Sequence, residues 1–175
     1  MGTSKPIKNE YIGKDGIKYI FEYYETDSFT HLPKDELQQC YAIAFFRNKF
    51  IVVNDSKRYT PVGGGVEADE TPEQTMIREI KEESNMEVLK IIPIGYQKVT
   101  DTRRIIKPYY QLRYFCLVKP YGPFVKDPDG DIIEIKLISP KDYQKYFDWG
   151  EIGEKIMKKA VKLFRKNKTS LSKTF

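Results

Sequence analysis

Pro61-Val62-Gly63-Gly64-Gly65-Val66-Glu67-Ala68-Asp69-Glu70-Thr71-Pro72-Glu73-Gln74-Thr75-Met76-Ile77-Arg78-Glu79-Ile80-Lys81-Glu82-Glu83-Ser84-Asn85-Met86-Glu87-Val88 is the stretch whose reading decides the fold. Three glycines form a turn, and a helix over 72–84 follows. Thr71 is a good N-cap, Pro72 suits the first helical position, and Gln74 completes a capping box. At about 100° per residue, Met76, Ile77, Ile80 and Ser84 share one face. Glu79, Glu82 and Glu83 gather on a neighbouring face, beside Arg78. Like charges this close raise the cost of ionisation, so a cation belongs among them. Mg2+ is a hard ion that takes carboxylate oxygens and keeps waters for a phosphate. Taken alone, the same face also reads as an ordinary solvated acidic stripe.

Outward from this stretch, Ile17–Tyr24 reads as a strand and 27–38 as a connection, so 1–38 holds an N-terminal strand and its link. Tyr41–Phe46 and Phe50–Asn54 form a hairpin. Strands follow at about 88–99 and 109–118, and a turn on Asp129-Gly130 leads to a strand at Ile132–Ile138. Pro140–Tyr146 is a short helix. A basic amphipathic helix spans 150–166, and 167–175 is a flexible tail. Strands and helices interleave without a strict alternating rhythm. The fold class is α/β (α+β), a mixed sheet between helices in one domain, 1–175.

Composition narrows the function classes. With 40% hydrophobic and 31% charged residues, the 175-residue chain has a core and is neither disordered nor fibrous. No apolar run suits a membrane span, and the polar N-terminus lacks a signal-peptide core, so a cytoplasmic protein with no membrane partner is expected. Cys40 and Cys116 read as small core residues, and His31 as a loop residue. The glycines fit neither a Walker loop nor a dinucleotide fingerprint, and the spacing of Asp127, Asp129 and Asp131 does not fit a calcium loop. The net charge of +5 arises in 151–175, where eight Lys or Arg meet two Glu. Those lysines read as the solvated face of a docked helix, with RNA or an anionic surface as the sharper alternative.

Gly64, five residues, Glu70, seven residues, then Arg78-Glu79-Ile80-Lys81-Glu82-Glu83 resembles the Nudix box of the Nudix hydrolases. Asn85 stands where that box has its second glycine, and Met86 is its last aliphatic position. Asparagine is the next best left-handed residue after glycine, so the helix end is expected to survive the change. The resemblance implies an α/β/α sandwich with a loop–helix–loop platform. It implies Glu79, Glu82 and Glu83 as metal ligands, with the Gly64 carbonyl a further one, and Glu70 and Arg78 as a bracing ion pair. Glu134 resembles a late carboxylate used near the metal or water.

The implied reaction is Mg2+-dependent hydrolysis of a diphosphate bond in a nucleoside diphosphate linked to another group, with Mn2+ as the alternative ion. Glu82 or Glu79 is the expected proton acceptor, and Arg78 and Glu134 complete the catalytic set. Signatures of several substrate classes are missing around Thr102. Nucleoside triphosphates, including oxidised ones such as 8-oxo-dGTP, remain, with an RNA 5′ end or a non-catalytic nucleotide sensor as alternatives. Arg103, Arg104 and Lys107 are candidates for phosphate, and Tyr109, Tyr110 or Tyr114 for stacking on a base. Solvated loop charges and core tyrosines are the ordinary reading of the same residues. A homodimer is the family-like assembly.

Overall fold

The computed structural model describes residues 5–13, 15–125, 127–128 and 130–171, with side chains as far as Asn167. The chain opens with an antiparallel hairpin of β1 (Ile7–Ile12) and β2 (Lys18–Tyr24). Only the second strand is legible in the sequence. β1 is a polar edge strand, held by its register and by the cross-strand pairs Lys8–Glu22 (2.7 Å) and Lys18–Glu10 (2.5 Å). The expected hairpin forms from β3 (Leu37–Phe46) and β4 (Lys49–Asn54), and Arg47 takes a left-handed φ of 54° in its turn. β5 (Tyr59–Thr60) is short.

The glycines expected as a turn instead form a strand, β6 (Val62–Gly65), antiparallel to β3. Residues without side chains carry no strand signal, yet their backbone completes the ladder. α1 (Pro72–Ser84) has the expected capping box, and Asn85 takes the left-handed cap position at φ 52°, ψ 44°. One correction concerns its faces. Thr75, Met76, Ile80 and Ser84 are buried, but Ile77 is 50% exposed.

β7 (Met86–Asp101) and β8 (Tyr109–Pro120) are longer than expected, and β7 carries register shifts at Val88/Lys90 and Pro93/Gly95. β9 (Glu134–Ile138) starts later than Ile132, because the N–H groups of Asp131 and Ile132 are donated to Asp127 Oδ2 (3.2 and 2.9 Å). Asp129 of the expected turn lies outside the described residues. A 3₁₀ turn over Pro140–Lys145 precedes α2 (Gly150–Leu171), which continues past the expected end at 166. Beyond Leu171 the expected tail lies outside the described residues.

The sheet runs β1-β2-β7-β8-β3-β4-β5, with β6 paired to β3 and β9 to β4. The β3–β8 pair is parallel and the others are antiparallel, so the sheet is mixed as expected. Alternation along the strands gives each face its own core. Cys40, Ala42, Ala44, Leu112, Tyr114 and Cys116 meet Met76 and Ile80 of α1. Ile43, Phe45, Phe50, Phe115 and Leu117 meet Ile156, Ala160 and Phe164 of α2. Small side chains on one face let α1 approach closely, while phenylalanines fill the space beneath α2. Among the described residues, no helix is long and apolar enough to cross a membrane.

Candidate active site

Arg78 organises the face that α1 turns toward β6. Its Nε donates to Glu70 Oε1 (2.6 Å) and its Nη2 to Glu70 Oε2 (2.9 Å), a two-pronged pair. Nη2 also donates to the Gly65 carbonyl (3.1 Å), while Nη1 donates to Glu79 Oε1 (2.8 Å) and Glu82 Oε2 (3.1 Å). Glu67 lies 3.8 Å away. Glu70 is further fixed by the Thr75 hydroxyl (2.9 Å), and the Arg78 guanidinium holds its carboxyl down to about 2. Arg78 and Glu70 are thus joined as an ion pair, within a network that reaches further than that pair.

Glu79 and Glu83 are half-buried. Burial raises the Glu79 carboxyl, against the pull of Arg78. Glu83 accepts the Gly63 N–H (2.9 Å), yet burial pushes its carboxyl up to about 8, and the charges of Glu79, Asp127 and Glu82 add to the rise. A Cβ at Gly64 would meet the Glu79 carboxylate, which would have to shift from its bond to Arg78. So the backbone of β6 and the carboxylates of α1 meet at close range. The donor set is all oxygen, which fits a hard divalent cation. Two half-buried carboxyls that burial raises above their ordinary pKa are what such a cation would relieve. With Arg78 Nη1 shared by Glu79 and Glu82, no three acidic side chains converge on one point among the described residues.

The other expected residues lie elsewhere. Glu134 is on the opposite face, where it accepts from Tyr59 (2.5 Å) and pairs with Lys136 (3.6 Å). Arg103 grips Asp101 at the end of β7 (Nη2–Oδ2 2.8 Å), beside Lys18 and away from the box. Arg104 follows in the same turn with φ 57° and is exposed. Tyr114 is core: it donates to Glu73 (2.8 Å) and steadies the first turn of α1. Cys40 and Cys116 are buried, and burial pushes the Cys40 thiol up to about 12. His31 is exposed, beside the Tyr96 ring.

Tyr109 is half-buried and lines a cavity of about 660 Å³ on the α2 face. Its wall includes Gln39 and Tyr41, whose strand partners are Gly65 and Gly63, so the cavity begins one strand from the box. Sequence reasoning missed this wall and its central residue, Arg113. A lone charge inside the apolar run from Leu112 to Val118 was the one trace of it.

A family model described as the NUDIX domain matches residues 14–160. Three solved structures share the fold. The pyrophosphohydrolase RppH of Bacillus subtilis is 18% identical with a TM-score of 0.56, over 75% of this chain and 77% of that one. A NUDIX hydrolase of Nitrosomonas europaea is 16% identical with a TM-score of 0.56, over 70% and 86%. The mutator protein MutT of Bacillus halodurans is 16% identical with a TM-score of 0.52, over 70% and 80%. No curated protein matches the sequence.

Proposed function

The chain belongs to the Nudix hydrolase family, enzymes that cleave diphosphate bonds, and from that premise we propose that it hydrolyses a nucleoside diphosphate linked to another group, with a nucleoside triphosphate or an oxidised nucleotide as substrate. The observation that supports this reading is the clustering at the glycine strand β6: Arg78 bonds Glu79 and Glu82, and Glu83 accepts the Gly63 N–H.

In this reading Glu79, Glu82 and Glu83, with the Gly64 carbonyl, hold Mg2+, and Mn2+ is the alternative. The bound ion supplies neutralisation of phosphate oxygens and a lower pKa for water. Glu82 or Glu79 takes the proton of the attacking water as oxygen bonds to phosphorus and the bridging P–O bond breaks. Arg78, anchored through Nε and Nη2 to Glu70, orients both carboxylates through Nη1. Glu134, held by Tyr59 and Lys136 on the opposite face, has no contact with the box residues among the described residues, so its catalytic role is the part of this reading with least support. Arg103 is committed to Asp101, so the phosphates belong at the box and not at its turn.

The RNA-end alternative draws on the lysines of α2, but Lys155 and Lys159 are paired with Glu25 (3.6 and 3.4 Å). The sensor alternative has no use for so complete a carboxylate set. Product release from nucleotides and RNA ends, with Mg2+ and with chelator, tests all three. Turnover that needs Mg2+ and collapses in Glu82→Gln and Glu83→Gln supports the hydrolase. Absence of turnover with any compound overturns it. Sedimentation of the same preparation tests the expected homodimer.

A further inference from the structure

The two margins of the sheet carry different sequences. β1 lies at one, and its Lys8 and Glu10 are both taken up by β2, in ion pairs with Glu22 (2.7 Å) and Lys18 (2.5 Å). β9 lies at the other, paired with β4 along its inner edge, and no strand among the described residues pairs with its outer edge. Side chains alternate along β9. Ile135 and Leu137 stand beside the buried Val53 and Ile51 of β4, at the margin of the core beneath α1, and Ile133 shares their face. Ile133 is nevertheless 61% exposed and Leu137 43%. Glu134 and Lys136 occupy the opposite face, 3.6 Å apart, with side chains 45% and 40% exposed. An open edge with an apolar row on one face is a template for another strand, and natural proteins blunt or cover such edges.

The order of residues in β9 says which strand fits. Ile133-Glu134-Ile135-Lys136-Leu137 is complementary to itself when reversed about Ile135. An antiparallel copy centred there sets Ile133 opposite Leu137, Ile135 opposite Ile135, and Glu134 opposite Lys136, and the two-fold axis repeats each pair. The apolar rows then join on the α1 face, while two cross-strand ion pairs form on the other. Neighbouring registers fail. A shift of the centre to Glu134 opposes glutamate to glutamate, and a shift to Lys136 opposes lysine to lysine. A centre between Ile135 and Lys136 sets isoleucine against lysine and turns the apolar rows to opposite faces. A membrane or a nucleic acid would select one sign of charge, and β9 presents one of each.

We propose that the outer edge of β9 is a docking surface for a second copy of this chain, joined antiparallel about a two-fold axis at Ile135. The inference does not rest on the hydrolase reading, because the edge lies away from the box and its use needs no substrate. It gives Glu134 a place that the box does not. The strand is five residues long, so the interface belongs to the small, concentration-dependent class and not to obligate dimers.

Sedimentation equilibrium of the full chain over a range of concentrations, without nucleotide, tests the edge by charge reversal. Lys136→Glu creates two glutamate–glutamate oppositions and is expected to weaken the dimer about tenfold or more, and Glu134→Lys does the same with lysines. The double variant Glu134→Lys with Lys136→Glu restores opposite charges across the axis and is expected to restore association. Lys136 also sits over the Tyr59 ring (4.6 Å), so Leu137→Lys provides a second reading from an exposed position, by placing a charge opposite Ile133 of the second copy. Oxidation then fixes the register, since Cys40 and Cys116 are buried. Ile135→Cys is expected to give a covalent dimer, because facing Cα atoms lie about 4.5–5.5 Å apart, within disulfide reach. Leu137→Cys is not, because its two thiols would lie about 14 Å apart along the strands. A monomer at every concentration leaves the edge to a different partner and overturns the proposal. So does a dimer indifferent to Lys136→Glu and Leu137→Lys, or one that cross-links as readily through Leu137→Cys as through Ile135→Cys.

Discussion

Two arginines on opposite faces of one sheet are treated in opposite ways. Arg78 is bonded to Glu70, Glu79 and Glu82, with Glu67 at 3.8 Å, and it remains 24% exposed at the side chain. Arg113 is buried deeper, faces aromatic rings and amides, and has an unpartnered Nε–H among the described residues. The first is a cation bonded to several acids, and the second is held by aromatic faces, a carbonyl and an amide with one buried N–H left over. Stability is therefore concentrated around Arg78, and unused hydrogen-bonding capacity around Arg113.

That contrast can be broken experimentally. The largest expected effect is on chemistry: if Glu82 is the proton acceptor of the proposed reaction, Glu82→Gln lowers kcat by about 10²–10⁴-fold while the melting temperature stays near wild type, the scale on which a positioned acceptor contributes. Product release in Mg2+ reads it. Arg78→Met comes next, at about 2 kcal/mol of lost stability in denaturant titration. This lies below the ~3–5 kcal/mol of a fully buried pair because part of the network is wet. Arg113→Met should change stability by no more than about 1 kcal/mol, since it removes a buried cation that no carboxylate neutralises. If the two variants were equally destabilised, the contrast would fail.

The box, both ends of α1 and the β3–β4 hairpin were legible in the sequence because their determinants are local. Thr71 and Gln74 lie three residues apart, and Asn85 needs only its own φ. The amide ladder in which Gln97 donates to Gln111 and Gln111 to Gln39 was not legible. Gln39, Gln97 and Gln111 become neighbours only through the pairing of β3 and β7 with β8, and nothing in their local sequence marks them. β6 was hidden for the opposite reason, since glycines carry no pattern at all. Glu134 shows a third case: one residue of strand register decides which face a carboxylate joins, and spacing alone does not supply it.

Two smaller effects sharpen the picture at the margins of the sheet. Asn85 Nδ2 donates to the Pro123 carbonyl (3.0 Å), which ties the end of α1 to the loop after β8. Asn85→Gly should gain backbone freedom in the left-handed region and lose that bond, for a net change within about 0.5 kcal/mol. Asn85→Ala loses on both counts, by about 1–2 kcal/mol in thermal melts. Asp101 is held below the usual carboxylate range by Arg103. Its contribution is thus present above the ordinary carboxylate pKa and lost as pH falls through the lower native value. The stability gap between wild type and Asp101→Asn should accordingly narrow in acid.

The parallel pairing of β3 with β8 has a consequence for how the chain is made. Leu37 finds its partner at Tyr110 and Tyr19 at Asp101, so the middle of the sheet closes only after most of the polypeptide exists. Contacts so distant along the chain pay loop-closure entropy before they return anything, and folding should take milliseconds to seconds rather than microseconds. A nascent chain halted before residue 109 would hold β3 and β7 without β8, which pairs with both. It would present open strand edges to its neighbours, and that is the stage at which this protein is most exposed to aggregation.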